Sequence, residues 1–456
     1  MNVVVLNGSP KGEKGVTLQY VRYLEKHLEG HQFRTFHVSR DIHGIEKNPA
    51  TLEPIIEAVK AADLVAWCTP VYYLLVPGQM KRFHEILVER GLTGHFEGKY
   101  ATAFTTSVHF FDHTAHDYLR AFCEDMGMLH LGGYSAHYQD LLKEQGRHDL
   151  VTFGRYVATC VEKRWPVDRQ FGPVSFSPPR YEPGPVEQAR KTDSKKIVLL
   201  TDAREQDANL TSMTRALVDL LPNPVDVVNL HTIDMRGGCL GCCRCAYDNT
   251  CCYKDGLAAT ALARLYPADI LFFCGTIRDR FLSARWKTFL DRLFFNGHRP
   301  TTAGKVIGFL VSGPLGQNAP LRQVLEAISD VGRMTCAGFV TDERGDSAAI
   351  TQRLSALADR TMWIARERLV TPRTFLGTGG HMVFRDLVSE LSWFFRSDHR
   401  FYRENGLFDY PEKTLARYWQ SLFMSVLIAF DRTRDSVYKG AVDHMVAPYL
   451  RIVDRE

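Results

Sequence analysis

The stretch ADLVAWCTPVYYLLVPGQMKRFHEIL, residues 62–87, returns as ADILFFCGTIRDRFLSARWKTFLDRLF at residues 268–294. Each copy opens on Ala-Asp, runs through a short apolar segment to a threonine, and passes by a loop into an amphipathic pattern with a lysine at the same place, Lys81 or Lys287. An apolar segment of that length leading into such a pattern reads as a buried strand of a parallel sheet followed by a helix. Outward from the first copy, VVVLNGSP, FRTFHVS, YATAFTTS and MLHLGGYSA are further strands, with helical patterns near residues 17–28 and 52–62 and from 79. Around the second copy, KKIVLLTD, VDVVNL, KVIGFLVSG and MTCAGFVT are strands, with helices expected from 209, 257 and 284. Strands alternating with amphipathic helices give a parallel sheet covered on both faces. The chain is therefore expected to hold two doubly wound α/β domains in tandem, 1–164 and 195–369.

Between them, WPVDRQFGPVSFSPPRYEPGPVEQ is dense in proline and glycine and has no periodicity, so 165–194 reads as a semi-rigid linker. Residues 370–456 form a third, mainly helical extension rich in aromatics, whose most apolar run, LFMSVLIAF, is far too short to span a bilayer. Within it, Gly377-Thr378-Gly379-Gly380 follows no strand and reads as a loop, and Asp398, His399 and Arg400 sit among aromatics from which they could close over a site. A total of 456 residues with 45% hydrophobic and 24% charged side chains fits two or three ordinary cores rather than disorder. The net charge of +4, from 56 basic and 52 acidic residues, gives no single-sign field that would argue for nucleic acid. The opening MNVVVLNGSP has no basic n-region, long apolar core or twin arginine, so the expected location is the cytoplasm.

The loops at the carboxyl edge of the first sheet carry the chemistry. After strand one come Ser9, Pro10 and Lys11, then Gly15-Val16-Thr17 where the helix begins. A helix N-terminus there offers N–H groups and positive dipole to a phosphate, Ser9 and Thr17 add hydroxyls, and Lys11 balances charge. The same residues also serve a plain strand-to-helix turn capped by Thr17. Strand three ends in Thr69-Pro70-Val71-Tyr72-Tyr73 and strand four in Thr105-Thr106-Ser107, at the same edge.

At GSPK and ADLVAWCTPVYYLLVPGQMKRF the chain resembles the NADPH-dependent FMN reductase family of flavodoxin-like proteins. The resemblance implies a flavodoxin-like strand order, 2-1-3-4-5, and FMN as cofactor, with NAD(P)H as electron donor. It places Ser9, Gly15, Val16 and Thr17 on the flavin phosphate, and Pro70, Val71, Tyr72, Tyr73, Thr105, Thr106 and Ser107 around the ring. Val16 departs from the family pattern, which has a small polar residue or asparagine there. The second half keeps the frame but has Thr276-Ile277-Arg278 for Pro-Val-Tyr and Thr201-Asp202-Ala203 for Gly-Ser-Pro, so the expectation is one FMN, in the first half.

Six of the 11 cysteines fall between Cys239 and Cys252, in GGCLGCCRCAYDNTCC. The others, Cys68, Cys123, Cys160, Cys274 and Cys336, are single and mostly in apolar runs, as inert core thiols are. Cys239-x2-Cys242-x2-Cys245-x5-Cys251 puts four thiolates on one glycine-containing loop that can wrap a cubane. A four-cysteine zinc site, a redox disulfide and an empty remnant are the alternatives. At this loop the chain resembles the iron-sulfur flavoproteins, which implies a [4Fe-4S] cluster on Cys239, Cys242, Cys245 and Cys251, with Cys243 and Cys252 spare and Cys252 able to replace Cys251 as fourth ligand. It also implies pairing of a cluster with a neighbouring flavin, either within this tandem chain or in a homodimer. The expected function is an oxidoreductase relaying electrons between FMN and the cluster, with a small molecule or redox protein as partner. A non-catalytic electron carrier and a zinc-stabilised NAD(P)H:FMN or quinone reductase are the alternatives. His109, after strand four, is the candidate proton donor.

Overall fold

Each half folds around its own parallel five-stranded sheet. The first comprises β1 (Asn2–Asn7), β2 (Gln32–Phe36), β3 (Leu64–Pro70), β4 (Tyr100–Ser107) and β5 (Leu129–His137), in the order β2-β1-β3-β4-β5. The second comprises β6 (Ile197–Thr201), β7 (Val225–Asn229), β8 (Ile270–Thr276), β9 (Val306–Ser312) and β10 (Thr335–Thr341), and its order β7-β6-β8-β9-β10 is the same permutation. Both are the flavodoxin-like order 2-1-3-4-5. The computed structural model describes residues 1–177, 179–184, 194–409 and scattered positions between 419 and 433. Met1–Phe401 form one compact unit and Tyr402–Glu456 another. The two helical patterns of the tail beyond residue 410 lie for the most part outside the described residues. Among the described residues no helix is long and apolar enough to cross a membrane.

Helices of both halves pack together between the two sheets. Behind each sheet an outer helix pair packs on its own core: Val16–His27 with Glu144–Glu162 in the first half, and Ala208–Leu220 with Ser347–Glu367 in the second. The inner layers share one continuous core, in which Trp67, Met80, Phe83 and Leu87 of the first half join Trp286, Phe289 and Leu290 of the second, each no more than 1% exposed. Burying so much apolar surface drives the halves together, but burial alone does not set their register.

The register comes from two helices that the sequence repeat makes equivalent, Gly78–Glu89 and Ala284–Arg292. The N–H of Gly78 donates to Asp291 Oδ2 (2.7 Å), and the N–H of Ala284 donates to Glu85 Oε1 (2.6 Å). Each helix thus has its N-terminus capped by a carboxylate from the other, at equivalent positions of the repeat. The lysines close the arrangement. Lys81 Nζ donates to Glu85 Oε1 (2.8 Å) and lies 3.2 Å from Asp279, while Lys287 pairs with Asp291 and donates to the Tyr72 carbonyl (2.8 Å). Both lysine side chains are fully buried. Burial acts to lower Lys81, yet Asp279 and Glu85 outweigh it and raise its pKa. Lys287 faces one carboxylate, and burial pulls it down while pushing Asp291 up to about 6.

Three features depart from the sequence expectation. The short helix Ile42–Lys47 had no clear pattern. Residues 377–380 are not a loop but lie inside the helix Phe375–Glu390. A Cβ on Gly380 would meet Phe110 and Phe111 at 2.9–3.0 Å and one on Gly377 would meet Asp330 at 3.2 Å, so these two glycines serve close approach rather than a turn. Finally, part of the 165–194 segment is docked: Tyr181 is 2% exposed and its hydroxyl bonds Thr351, while Arg280 donates to the Gly172 carbonyl (2.7 Å).

Asp291→Ala would leave the Lys287 ammonium buried without its carboxylate and the Gly78 N–H without its acceptor. Removing one member of a buried pair costs about 3–5 kcal/mol. The expected outcome in guanidinium unfolding is a loss of that size, with the halves melting in two separated transitions rather than one.

Candidate active site

The loop after β1 is a tight coil stitched by Asn7, which is fully buried. Its Oδ1 accepts from the Ser9 N–H (3.0 Å) and its amide donates to the Gly12 carbonyl (3.1 Å). The loop closes as Gly15 donates to the Gly12 carbonyl (3.0 Å), and the helix starts at Val16. A Cβ on Gly15 would meet Ser9 Oγ at 2.7 Å, so the coil closes this tightly only with glycine there. The loop after β3 is a turn with reciprocal hydrogen bonds between Tyr72 and Leu75 (2.8 and 3.1 Å). Its central residues, Tyr73 and Leu74, hold φ of +36° and +70°, the left-handed region costly to bulky side chains. Such strain persists only where surroundings enforce it. Here Lys287 holds the Tyr72 carbonyl from below, and Phe294 packs edge-on against both tyrosine rings at 6.2 and 6.0 Å.

The cysteine loop of the second half closes on these two loops. At Gly241, φ +60°, a Cβ would meet the Tyr72 hydroxyl at 1.9 Å and Lys11 Cε at 3.1 Å, so only glycine lets the loop seat there. Gln79 donates to the Cys239 carbonyl (3.0 Å), and Arg292 donates to the Gly237 carbonyl (2.9 Å) while stacking on Tyr253 at 4.1 Å. At its far end Asn249 donates to the Phe295 carbonyl (3.0 Å) and to Asp398 (2.9 Å).

These elements enclose a cleft of about 370 Å³, a usual size for a cofactor site. Ser9, Lys11, Val16, Pro70, Val71, Tyr72, Tyr73, Thr106 and Ser107 all line it, as do Cys239, Cys243 and Cys245. Gly15, Thr17 and Thr105 lie behind the wall: the Thr17 and Thr106 hydroxyls share a hydrogen bond (2.6 Å), and Thr105 bonds His116 (2.7 Å). His109 also lies off the lining and pairs with Asp112 (2.8 Å). Several lining residues escaped the sequence reading: Phe294 and His298 from the second half, and Phe384, Leu387 and Phe395 from the extension. Asp398, one of the three residues that the sequence suggested could close over the site, lines it and bonds His298 Nδ1 (2.9 Å) and Arg299 Nε (3.0 Å). Burial acts to raise Asp398, but His298, Asn249 and Arg299 hold it below the usual carboxylate range.

All eleven cysteines are free. Burial pushes Cys239 and Cys245 up to about 12 each, and burial with the adjacent Cys242 and Cys251 thiols pushes Cys252 up to about 11. Among the described residues no three His, Cys, Asp or Glu side chains converge tightly enough to hold a metal ion. The donor set nonetheless has the sulfur-only character that iron-sulfur or zinc binding needs, on one loop. The flavin fit rests on the cleft itself, with a hydroxyl and an ammonium at one end, Ser9 and Lys11, and apolar and aromatic walls beyond.

The family model of the NADPH-dependent FMN reductases matches the chain twice, at residues 1–140 and 196–342. The chain belongs to that family. It is an FMN-dependent oxidoreductase with the family fold in tandem. A curated relative, an iron-sulfur flavoprotein of Archaeoglobus fulgidus, is 27% identical over 161 residues, covering 33% of this chain and 72% of the relative. Among solved structures, an apo NADH:FMN oxidoreductase is similar at 23% identity, with 35% of this chain and 88% of that one covered and a TM-score of 0.30. The flavoenzyme NAD(P)H:(acceptor) oxidoreductase FerB of Paracoccus denitrificans is similar at 19% identity, covering 36% and 97%, with a TM-score of 0.31.

The second copy of the family fold uses the corresponding sheet edge differently. Asp202, 1% exposed, accepts from Ser283, Arg278 pairs with Asp207 (2.6 Å), and Asn209 bonds Asp342 (2.9 Å) and the Pro179 carbonyl (2.9 Å). Side chains and the docked linker thus occupy the polar groups at this edge, whereas Ser9 and Lys11 of the first copy line an open cleft. Burial pushes Asp202 up to about 6. Because an unfolded aspartate titrates near 4, the folded state binds this proton more tightly. Its stabilising effect is complete below about pH 4 and is lost as pH rises through 6, roughly 2–3 kcal/mol. Asp202→Asn is expected to remove that slope, so that urea midpoints of variant and parent diverge between pH 4.5 and 7.5 in the variant's favour.

Proposed function

We propose that FMN occupies the cleft of the first half and that Cys239, Cys242, Cys245 and Cys251 hold a [4Fe-4S] cluster beside it. The observation that carries this is that Cys239 and Cys245 line the same cleft as Ser9, Lys11 and Tyr72, although they come from the other copy of the fold. When bound, FMN supplies one- and two-electron chemistry and the cluster one-electron chemistry, which suits a relay from NAD(P)H to a small acceptor or a redox protein in the cytoplasm.

The chain's own residues divide the work. Ser9 and Lys11 bind the phosphate end, where a charge-assisted contact is the strong one. Tyr72 and Tyr73, fixed by the strained turn and by Phe294, present a rigid wall to the ring. Phe384, Leu387 and Phe395 exclude water from the opposite side. His298, oriented by Asp398 at Nδ1, is the group on the cleft wall suited to hold or deliver a proton, in place of His109. With the equivalent edge of the second half filled by its own side chains, the stoichiometry is one FMN per chain.

Anaerobic preparation with flavin, iron and acid-labile sulfide analysis tests this. The expected result is one FMN and a four-iron cluster per chain. Cys242→Ala is expected to lose iron and sulfide while keeping FMN, and Cys243→Ser to keep both. Reduction of the Cys242→Ala flavin by a one-electron donor is expected to slow sharply. Zinc without sulfide would replace the cluster by the structural-zinc reading.

A further inference from the structure

A second cleft of about 350 Å³ opens between the halves, separated from the flavin cleft by two loops. In the cysteine loop, Gly237, Gly238 and Leu240 line this second cleft while Cys239 and Gly241 line the first. The loop after β1 divides in the same way, with Pro10 facing one cleft and Ser9 and Lys11 the other. The two loops are therefore a shared partition.

The second cleft has an excess of positive charge. Arg40 and His43 reach it from the first half, and Arg204, His231 and Arg285 from the second. Its carboxylates are already engaged. Glu46 pairs with Arg82 (2.7 Å), and Glu85 serves Lys81, Arg82 and the Ala284 N–H. Arg236 at the rim pairs with Asp234 (3.5 Å). Among the described residues no carboxylate pairs with Arg40, Arg204 or Arg285. Arg285 donates only to the Leu230 and Ile233 carbonyls, and Arg204 Nε only to His231 (3.3 Å). Burial and the nearby Arg204 lower Arg285, with Asp234 and Asp255 opposing, and burial with both arginines lowers His231. Cations gathered in a concave site with no carboxylate paired to them are stabilised by an anion that bridges them.

We infer that this cleft binds a small ligand carrying at least two anionic groups, phosphate or carboxylate, held between Arg40 of one half and Arg204 and Arg285 of the other. The site is separate from the flavin cleft and does not depend on what the cysteines bind. Its ligand touches the back of the loops whose front faces the flavin.

Calorimetric titration of the full-length chain with sodium pyrophosphate, and separately with citrate, at low ionic strength tests this. Saturable binding of one anion per chain is expected. In the Arg40→Met/Arg204→Met double variant it should weaken about tenfold or more, as loss of charge-assisted contacts requires. Both side chains are exposed and outside the flavin cleft, so flavin content should not change, which separates failure here from failure of the flavin assignment. Preference for pyrophosphate would identify a phosphate ligand, and preference for citrate a carboxylate. No heat from either anion at millimolar concentration, or equal affinity in the double variant, would overturn the inference.

Discussion

Two buried carboxylates, each capping the helix of the opposite half, hold this molecule in register. Glu85 and Asp291 occupy equivalent places in the repeat, and each accepts both from its own lysine and from the first N–H of the other helix. A hydrophobic face tolerates sliding because its attraction has no direction. A buried ion with a dedicated partner does not, since any slip exposes an unpaired charge to a low-dielectric interior. Every functional juxtaposition lies downstream of that constraint. It sets the distance at which Lys287 meets the Tyr72 carbonyl, and so the seating of Gly241 on the Tyr72 ring and of Phe294 between the tyrosines.

The fold is legible because each strand is a short apolar run with its own helix, and because the second copy repeats the spacing of the first residue for residue from Ala-Asp to the helix lysine. Lys81 and Lys287 stood out in that alignment, but their role did not. A lysine four residues before a carboxylate looks like an ordinary surface pair on a helix. Nothing local shows that the carboxylate also reaches an N-terminus some two hundred positions away in the chain. The same limit explains the cleft. The side that follows β1, β3 and β4 could be read directly, since those loops share one sheet edge. Phe294, His298, Phe384, Leu387 and Phe395 could not, because each arrives on an element whose own pattern only says that one face is buried. Gly377 and Gly380 misled for a different reason. Glycine usually marks a break, but here the missing side chains let a helix lie against Asp330 at Gly377 and against Phe110 and Phe111 at Gly380.

The two copies show how one frame supports different uses. In the first, the loops at the carboxyl edge leave hydroxyls and an ammonium facing an open cleft. In the second, Asp202 with Ser283, Arg278 with Asp207 and Asn209 with Asp342 pair at that edge and the linker reaches it through the Pro179 carbonyl, while the cysteine-bearing loop extends from beside β7 toward the other half. A symmetric pair of identical subunits would have to carry both loop sets twice. In a tandem chain each set appears once, and each half is free to fill the edge it does not use.

The covalent join at residues 165–194 has a consequence of a different kind. Two subunits that meet only by diffusion part again when diluted, so their shared clefts exist only above a threshold set by their affinity. In this chain the second half is always at the high local concentration that a tether provides, and part of that tether is itself docked through Tyr181 and Gly172. The shared clefts therefore assemble with the same completeness in a single molecule as in a crowded solution. A cell could keep very few copies of the protein without losing the sites that only the paired halves create.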